Sequence, residues 1–143
     1  MPSESKVCFF FPAGRVTLLH RYRLKKYIVS IFRAEGKKIK FLNYIFCSDE
    51  ALLDLNRQFL SHDFYTDIIT FDLSETDEIG AEIYISVDRV KENARKLGVS
   101  IQSELHRVIF HGVLHLCGHH DKKASEISVM REKENFYLNK YFF

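Results

Sequence analysis

The segment KIKFLNYIFC, at residues 38–47, constrains the fold more than any other part of this chain of 143 residues. Its apolar residues follow one another almost without interruption, which is typical of a β-strand that is buried on both faces. Such a strand needs further layers of structure around it, and a chain of this length can supply them within one domain. We therefore expect a single domain over residues 1–143.

Strand and helix patterns alternate along the rest of the chain. KVCFFF (6–11) and residues 66–73 and 81–87 have the composition of strands, and the last two are expected to pair antiparallel. Apolar residues at three- and four-residue steps predict five helices: at about 15–35, from Ser48, from Ser86 to Gly98, from Ser100 or Ser103 to Cys117, and at about 124–140. The expected fold class is α+β, with a small mixed sheet of about four strands covered by about five helices.

The same periodicity predicts which helical side chains face the core. The predicted core faces include Phe59 in the second helix, Leu97 in the third and Ile127 in the last. His106 lies off the face of the fourth helix that carries His111 and His115, so we expect it at the surface.

The sequence also indicates where in the cell the protein is expected and whether its cysteines are reduced. No apolar run approaches the roughly 20 residues of a membrane span, and the amino terminus lacks the pattern of a secretory signal. The three cysteines, Cys8, Cys47 and Cys117, are far apart and form no CxxC pair. We therefore expect reduced thiols without a disulfide partner, no membrane partner and a cytoplasmic location.

Charge is unevenly distributed although the net charge is only +2. Residues 1–40 hold ten basic and two acidic residues, a balance of +8, whereas residues 41–143 have a balance of −6. This asymmetry predicts that the basic part contacts a polyanion. The alternative is a solvated helix face without a partner.

The segment HGVLHLCGHHD, at residues 111–121, carries the pattern of a metal site. His111 and His115 are four residues apart on a predicted helix, so both imidazoles project from one face. Gly118 stands where a helix commonly ends in a left-handed residue, and Asp121 can return over the same face after the turn. The two histidines on the helix and the aspartate after the turn would form a three-ligand site with an open fourth position, as catalytic zinc requires.

Other assignments remain open in this segment. Two helical histidines four apart often bind no metal, and His120 is the main rival of Asp121 for the third ligand. His119 and His120 could support the ligands, contact phosphate or do neither. Cys117 lies roughly 200° around the helix from His115, so we expect it to be buried rather than a ligand.

Gly112 argues against one familiar zinc chemistry. Zinc proteases of the HExxH type carry their general base directly after the first histidine, and here that position is Gly112. Peptide hydrolysis by that mechanism therefore has no obvious base. The missing side chain would leave room either for a bulky substrate or for close packing of the helix.

These motifs resemble a known family. HGVLHLCGHHD is similar to the signature HGxLHLxGYDH of the YbeY family of bacterial metal-dependent endoribonucleases. LNRQFLSHDFYTDIITFD (55–72) and GAEIYIS (80–86) resemble further family segments in the same order, so that the similarity covers roughly residues 40–140. The resemblance implies one Zn²⁺ ion per chain, held by His111, His115 and the residue at position 121.

The resemblance also implies a function. It implies cleavage of single-stranded RNA, in maturation of the 3′ end of 16S ribosomal RNA and in ribosome quality control, with ribosomal RNA and the small ribosomal subunit as partners. Two positions depart from the family pattern: Asp121 replaces a usual histidine, and Leu60 replaces a usual arginine. Arg57 or a basic residue of the first helix could take over the role of that arginine.

A working hypothesis follows for the remaining residues. Arg21, Arg23, Lys25 and Lys26, together with the GKK segment at 36–38, would hold the RNA backbone, while Tyr22 and Tyr27 would either stack on bases or serve as ordinary surface and core residues. Asp67 and Asp72 are candidates for proton transfer, with strand-end capping as the alternative. A metal-dependent peptidase and a non-catalytic ribosome-assembly factor with a structural zinc are the rival functions.

Overall fold

The computed structural model describes residues 6–14 and 16–143. Within them lie four strands and five helices: β1 (Val7–Phe10), α1 (Arg21–Ala34), β2 (Ile39–Cys47), α2 (Asp49–Leu60), β3 (Ile68–Asp72), β4 (Ile79–Ser86), α3 (Val87–Leu97), α4 (Ile101–Leu116) and α5 (Ala124–Phe142). The predicted α+β class and element order are confirmed. The first helix begins at Arg21 rather than near residue 15, which itself lies outside the described residues.

The four strands form one mixed sheet in the order β1-β2-β4-β3. Strand β2 runs parallel to both β1 and β4, whereas β3 pairs antiparallel with β4, as the sequence predicts. Side chains on one face of β2, among them Leu42, Tyr44 and Phe46, are fully buried. The opposite face of this strand is only half-buried, so the expectation of complete burial on both faces is wrong.

Helices α1, α4 and α5 supply most of the apolar side chains that cover the fully buried face of the sheet. A smaller cluster around Leu52 of α2, Cys47 and Ile69 covers part of the other face. This unequal division explains why β2 is better shielded on one side than on the other. Helix α4 packs on the first face, where Gly112 lies against Ile68 of β3 and Ile83 of β4.

Helix α4 is the central helix, and its N-cap is Ser100, whose Oγ accepts the backbone N–H of Ser103 at 3.0 Å. The surface position expected for His106 is wrong, since this side chain is only 2% exposed. Its ring contacts those of Tyr141 and Phe142, at centroid distances of 5.5 and 5.0 Å. Helix α5 closes over this side of α4, a contact that the periodicity of α4 alone does not reveal.

Three predicted core residues, Phe59, Leu97 and Ile127, are exposed instead. Each lies in the first or last turn of its helix. We attribute their exposure to helix ends that project beyond the layer they cover. In the described part of the chain, no helix has the length and apolar character needed to cross a bilayer, and none of the cysteines forms a disulfide.

Candidate metal centre

The end of α4 and the turn after it bring the predicted ligands together. His111 and His115 lie one helical turn apart, with ring centroids 4.6 Å from each other. Gly118 has a φ of +98°, and the backbone N–H of His119 donates to the carbonyl of Leu114 at 3.0 Å. This left-handed turn ends the helix and lets Asp121 return toward the two imidazoles.

The spacing of the three side chains fits a single metal ion. Oδ2 of Asp121 lies 3.2 Å from Nε2 of His111 and 3.2 Å from Nε2 of His115. One ligand atom from each residue lies within 4.8 Å of the others. Zinc bonds of 2.0–2.2 Å in a tetrahedral arrangement separate ligand atoms by roughly 3.4 Å. His120 contributes no atom to this group and is exposed.

Glu134 of α5 orients the first of these histidines. Its Oε2 accepts a hydrogen bond from Nδ1 of His111 at 2.6 Å, and its Oε1 lies 2.9 Å from Arg107 Nη1. With the proton on Nδ1, the lone pair of His111 Nε2 faces the Asp121 carboxylate. Nε2 of His111 and Oδ2 of Asp121 are then two hydrogen-bond acceptors 3.2 Å apart, and they repel each other unless a cation lies between them. A metal ion bound by both would be such a cation.

Glu134 is a site residue that sequence reasoning missed. It is only 4% exposed and lies on the buried stripe of α5 that also includes Met130 and Tyr137. A carboxylate on an apolar stripe is the signal that could have identified it, because buried charges require partners. Burial by itself would raise the pKa of Glu134, but its hydrogen bonds to His111 and Arg107 outweigh burial and lower it.

The two histidines differ in their electrostatic surroundings. Burial lowers the pKa of His111, but the hydrogen bond to Glu134 and the charges of Glu134, Asp121 and Asp67 reverse this effect and raise it. Burial and the neighbouring His111 lower the pKa of His115. His115 therefore keeps a neutral, ligand-competent imidazole more readily than His111, whose Nδ1 proton is held by Glu134.

An open cavity of about 630 Å³ borders the candidate ligands. Besides the three ligands it is lined by residues of α2, the loop after α2, strand β3 and the metal-site turn, including Asn56, Leu60, His62, Phe64, Asp67, Asp72, His120 and Lys122. A second cavity, of about 360 Å³, shares His111, Asp121 and Asp67 with the first. Two cavities thus meet at the candidate ligands.

The two candidate proton-transfer residues occupy different environments. Oδ1 of Asp72 accepts the backbone N–H of Ser74 at 2.9 Å, which favours the strand-end capping role. Asp67 borders both cavities, and burial raises the pKa of its carboxyl group. No cation in the described part of the chain forms an ion pair with the Asp67 side chain within 4.0 Å.

Gly112 faces the sheet rather than the cavity. A Cβ atom at this position would lie 2.8 Å from Ile83 Cδ1 and 3.1 Å from Ile68 Cδ1. Of the two sequence interpretations, close packing of the helix is therefore correct, and room for a substrate is not. A glutamate at this position would enter the apolar contact with β3 and β4 and would not stand beside a substrate.

A second carboxylate, Glu35 at the end of α1, holds the metal-site turn. Its Oε1 accepts from His119 Nε2 at 2.7 Å, and its Oε2 accepts from Lys133 Nζ at 3.1 Å and from the Tyr137 hydroxyl at 2.5 Å. Burial opposes the charge of Glu35, but these donors lower its pKa to about 2. His119 therefore supports the turn.

Cys117 at the end of α4 is half-buried and is not part of the ligand group. Burial, together with the charge of Glu35, raises the pKa of its thiol to about 12. The expected burial of this cysteine is thus met in part.

The basic residues predicted to bind RNA lie at the other end of the helical layer. The four on α1 stand over aromatic rings: Arg21 over Phe11 and Arg23 over Tyr141, each at 4.3 Å, and Lys25 over Phe9 and Lys26 over Tyr22, each at 5.5 Å. Arg23 also donates to the Tyr141 carbonyl. None of the described residues of α1 lines the two cavities at the candidate metal centre.

The structure also places the two tyrosines of α1 and the residues that could replace the family arginine. Tyr22 is exposed, whereas Tyr27 is half-buried and donates a hydrogen bond to the Tyr137 carbonyl at 2.7 Å, as expected for core packing. Arg57 lies 2.5 Å from Asp63 and does not line the cavity. Leu60 does line it, so an apolar side chain stands at this part of the wall.

Comparison with known proteins agrees with this architecture. A family model described as Endoribonuclease YbeY matches residues 16–142. The similarity therefore extends further toward the amino terminus than the motifs indicate, and it includes α1. A solution structure of TM1509 from Thermotoga maritima superimposes with a TM-score of 0.64 at 30% identity, covering 95% of this chain and 89% of that one.

Curated relatives share the same description. Endoribonuclease YbeY of Cytophaga hutchinsonii is 47% identical over 137 residues, which cover 95% of this chain and 96% of the relative. Endoribonuclease YbeY of Bacteroides thetaiotaomicron is 47% identical over 110 residues, or 77% of this chain and 80% of the relative. With matches of this extent, the chain belongs to the endoribonuclease YbeY family.

Proposed function

We propose that this protein is a zinc-dependent endoribonuclease specific for single strands, acting in the maturation of the 16S ribosomal RNA 3′ end and in ribosome quality control. Its partners would be ribosomal RNA and the small ribosomal subunit in the cytoplasm, and residues 1–143 would form one metallohydrolase domain. The observation that carries the proposal is the group His111, His115 and Asp121, gathered around one point at the wall of an open cavity. The family membership supports the reaction class.

One Zn²⁺ ion per chain would be held by His111, His115 and Asp121, whose nitrogen and oxygen donors suit this metal. When bound, it would supply Lewis-acid chemistry to a phosphodiester group. Glu134 keeps the Nδ1 proton on His111 and so directs its Nε2 toward the centre. The Asp121 carboxylate partly neutralises the site, which leaves it less positive than a set of three histidines would.

Asp67 is the group that we propose for proton transfer. It borders the cavity next to the ligands, and its carboxyl group has no ion-pair partner among the described residues. Replacing Asp67 with Asn should lower kcat by about 10²–10⁴-fold, the usual contribution of a general acid or base, while the metal content stays at the wild-type level. Unchanged kcat in this variant would remove Asp67 from the reaction.

Contacts outside the cavity would hold the rest of the RNA. The proposal assigns the phosphate backbone to Arg21, Arg23, Lys25 and Lys26, which follow one another along the first turns of α1. Positive charge in this region attracts any RNA sequence alike. This surface would therefore increase the affinity for RNA, and the cavity would determine which phosphodiester bond is cut.

The test is an assay of the metal-loaded protein on an unstructured RNA, on a fully paired RNA of the same length and on casein. The proposal expects cleavage of the unstructured RNA, loss of cleavage with a chelator and recovery when Zn²⁺ is returned. Casein cleavage would identify a peptidase instead. Metal binding without cleavage of any of these substrates would favour an assembly factor with a structural zinc.

A further inference from the structure

The loop between α2 and β3 presents two rings to the cavity beside the metal centre. The rings of His62 and Phe64 are stacked, with centroids 5.0 Å apart and an interplanar angle of 21°. Phe64 is 56% exposed, although it is one of the largest apolar side chains in this region. Both residues line the same cavity as His111, His115 and Asp121. A substrate that reaches the metal centre through this cavity therefore meets these two rings.

Asn56 holds the loop in this conformation. It is only 1% exposed, its backbone carbonyl accepts the N–H of His62 at 3.1 Å, and its Nδ2 donates to the carbonyl of Phe64 at 2.9 Å. A buried residue that fixes both ring-bearing residues reduces the entropy that a ligand must remove on binding. The backbone that carries the two rings is thus held by the fold in advance.

The cavity wall offers little attraction for phosphate outside the metal centre. Lys122 is the one Lys or Arg side chain among its described lining residues, against the carboxylates of Asp67 and Asp72. The nearest basic residue on α2, Arg57, is engaged by Asp63 at 2.5 Å. A nucleic acid bound here must therefore gain much of its local affinity from its bases rather than from its backbone.

We propose that His62 and Phe64 form a stacking subsite for an unpaired nucleobase next to the scissile phosphate. The inference rests on the proposed ribonuclease function. Aromatic side chains stack on any base, because every base has a π-face. A base inside a duplex is already stacked on its neighbours and is unavailable to Phe64. The subsite therefore supplies a physical reason for preferring single strands, and it does so without a cation.

The first experiment compares cleavage of a short unstructured oligoribonucleotide by metal-loaded variants. Phe64→Ala should raise KM roughly five-fold or more, the lower end of the effect of losing one stacked base. Phe64→Tyr keeps the ring and should stay close to wild type. Phe136→Ala removes a similarly exposed ring on α5 and should have no effect. All three should retain wild-type metal content, which separates loss of stacking from damage to the centre.

The second experiment tests the stacking interaction itself. Oligonucleotides with an abasic site at successive positions should show one position at which the wild type loses affinity. Phe64→Ala should be insensitive to the abasic site at that position, because ring and base act as a coupled pair. Equal losses of affinity in both proteins at every position, or a wild-type KM in Phe64→Ala, would overturn the subsite alone. Absence of RNA cleavage by the wild type would overturn the proposed function as well.

Discussion

The cavity at the metal centre and the basic end of α1 are opposites in charge. Arg21, Arg23, Lys25 and Lys26 each lie over an aromatic ring. Residues 1–40, which include them, contain ten basic and two acidic residues. The cavity combines the carboxylates of Asp67, Asp72 and Asp121 with Lys122, the one Lys or Arg among its described lining residues. The most basic part of the sequence thus lies away from the candidate metal centre. Under the proposed function, the basic region would hold the RNA and the cavity would cut it.

The two regions are nevertheless connected through α5 and α1. On α5, Glu134 contacts His111 and Tyr141 contacts Arg23. Glu134 and Tyr141 lie on the same face of this helix, roughly 10 Å apart along its axis. At the other end of α1, Glu35 holds His119 in the metal-site turn. Variants at these residues therefore reveal whether the regions act separately, as the charge distribution suggests, or as one unit.

Among the variants that probe the connection between the two regions, the largest effect is expected when the support of His111 is weakened. Glu134→Gln removes the charged acceptor of Nδ1 and leaves Arg107 without its ion pair. Loss of such a partner typically lowers metal affinity by about 10–100-fold. Competition for Zn²⁺ with a chromophoric chelator measures this directly. Glu132→Gln, an exposed change on the same helix, serves as the control, and equal zinc affinities of the two variants would show that Glu134 does not orient the ligand.

A smaller effect is expected at the link between α1 and the turn. The folded-state pKa of Glu35, about 2, lies below the ordinary glutamate value of 4.5. Its stabilising contribution is therefore present above about pH 4.5 and is lost as the pH falls toward 2. Glu35→Gln should lower the free energy of unfolding at pH 7 by about 1–2 kcal/mol.

Urea unfolding at a series of pH values measures this contribution. The difference in unfolding free energy between wild type and Glu35→Gln should shrink as the pH is lowered from 4.5 to 2. Glu132→Gln, which is exposed, should follow the wild type throughout. A constant difference over this range would mean that the charge of Glu35 contributes nothing and that the turn is held by other interactions.

The smallest effect on the reaction is expected from the basic end of α1. Neutralising Arg21, Arg23, Lys25 and Lys26 together should weaken binding of all single-stranded RNAs alike while leaving metal content and kcat unchanged. The slope of log K against log salt concentration should shrink by up to about 0.7 for each phosphate that the protein no longer neutralises. An unchanged slope in a salt titration would make this stretch a solvated helix face and place the RNA backbone elsewhere.

The candidate metal ligands could be predicted to lie together because their geometry is local. His111, His115, Gly118 and Asp121 occur within one helix end and its turn, where spacing determines direction. Glu134, Glu35 and Asn56 could not be placed in the same way. Their roles depend on which helix or loop packs next to them, and the periodicity of a single segment does not contain that information.

The fold shows the same limit. The sequence predicts helix α4 with nearly correct ends, yet it places His106 on the wrong side, because the packing of α5 buries a face that the pattern of α4 leaves polar. Phe59 and Leu97 follow the helical period of their segments and are still exposed at the helix ends. Periodicity therefore predicts the elements well, whereas the depth at which each side chain lies depends on the packing between them.

The most direct test of the central claim is the zinc content and single-strand RNA cleavage of Asp121→Ala beside His120→Ala. The two residues are adjacent, both line the cavity, and only Asp121 has an atom within 3.2 Å of both histidines. Asp121→Ala should lose the metal and the cleavage, whereas His120→Ala should retain one zinc per chain. If His120→Ala loses the metal while Asp121→Ala keeps it, the assignment of the third ligand is wrong.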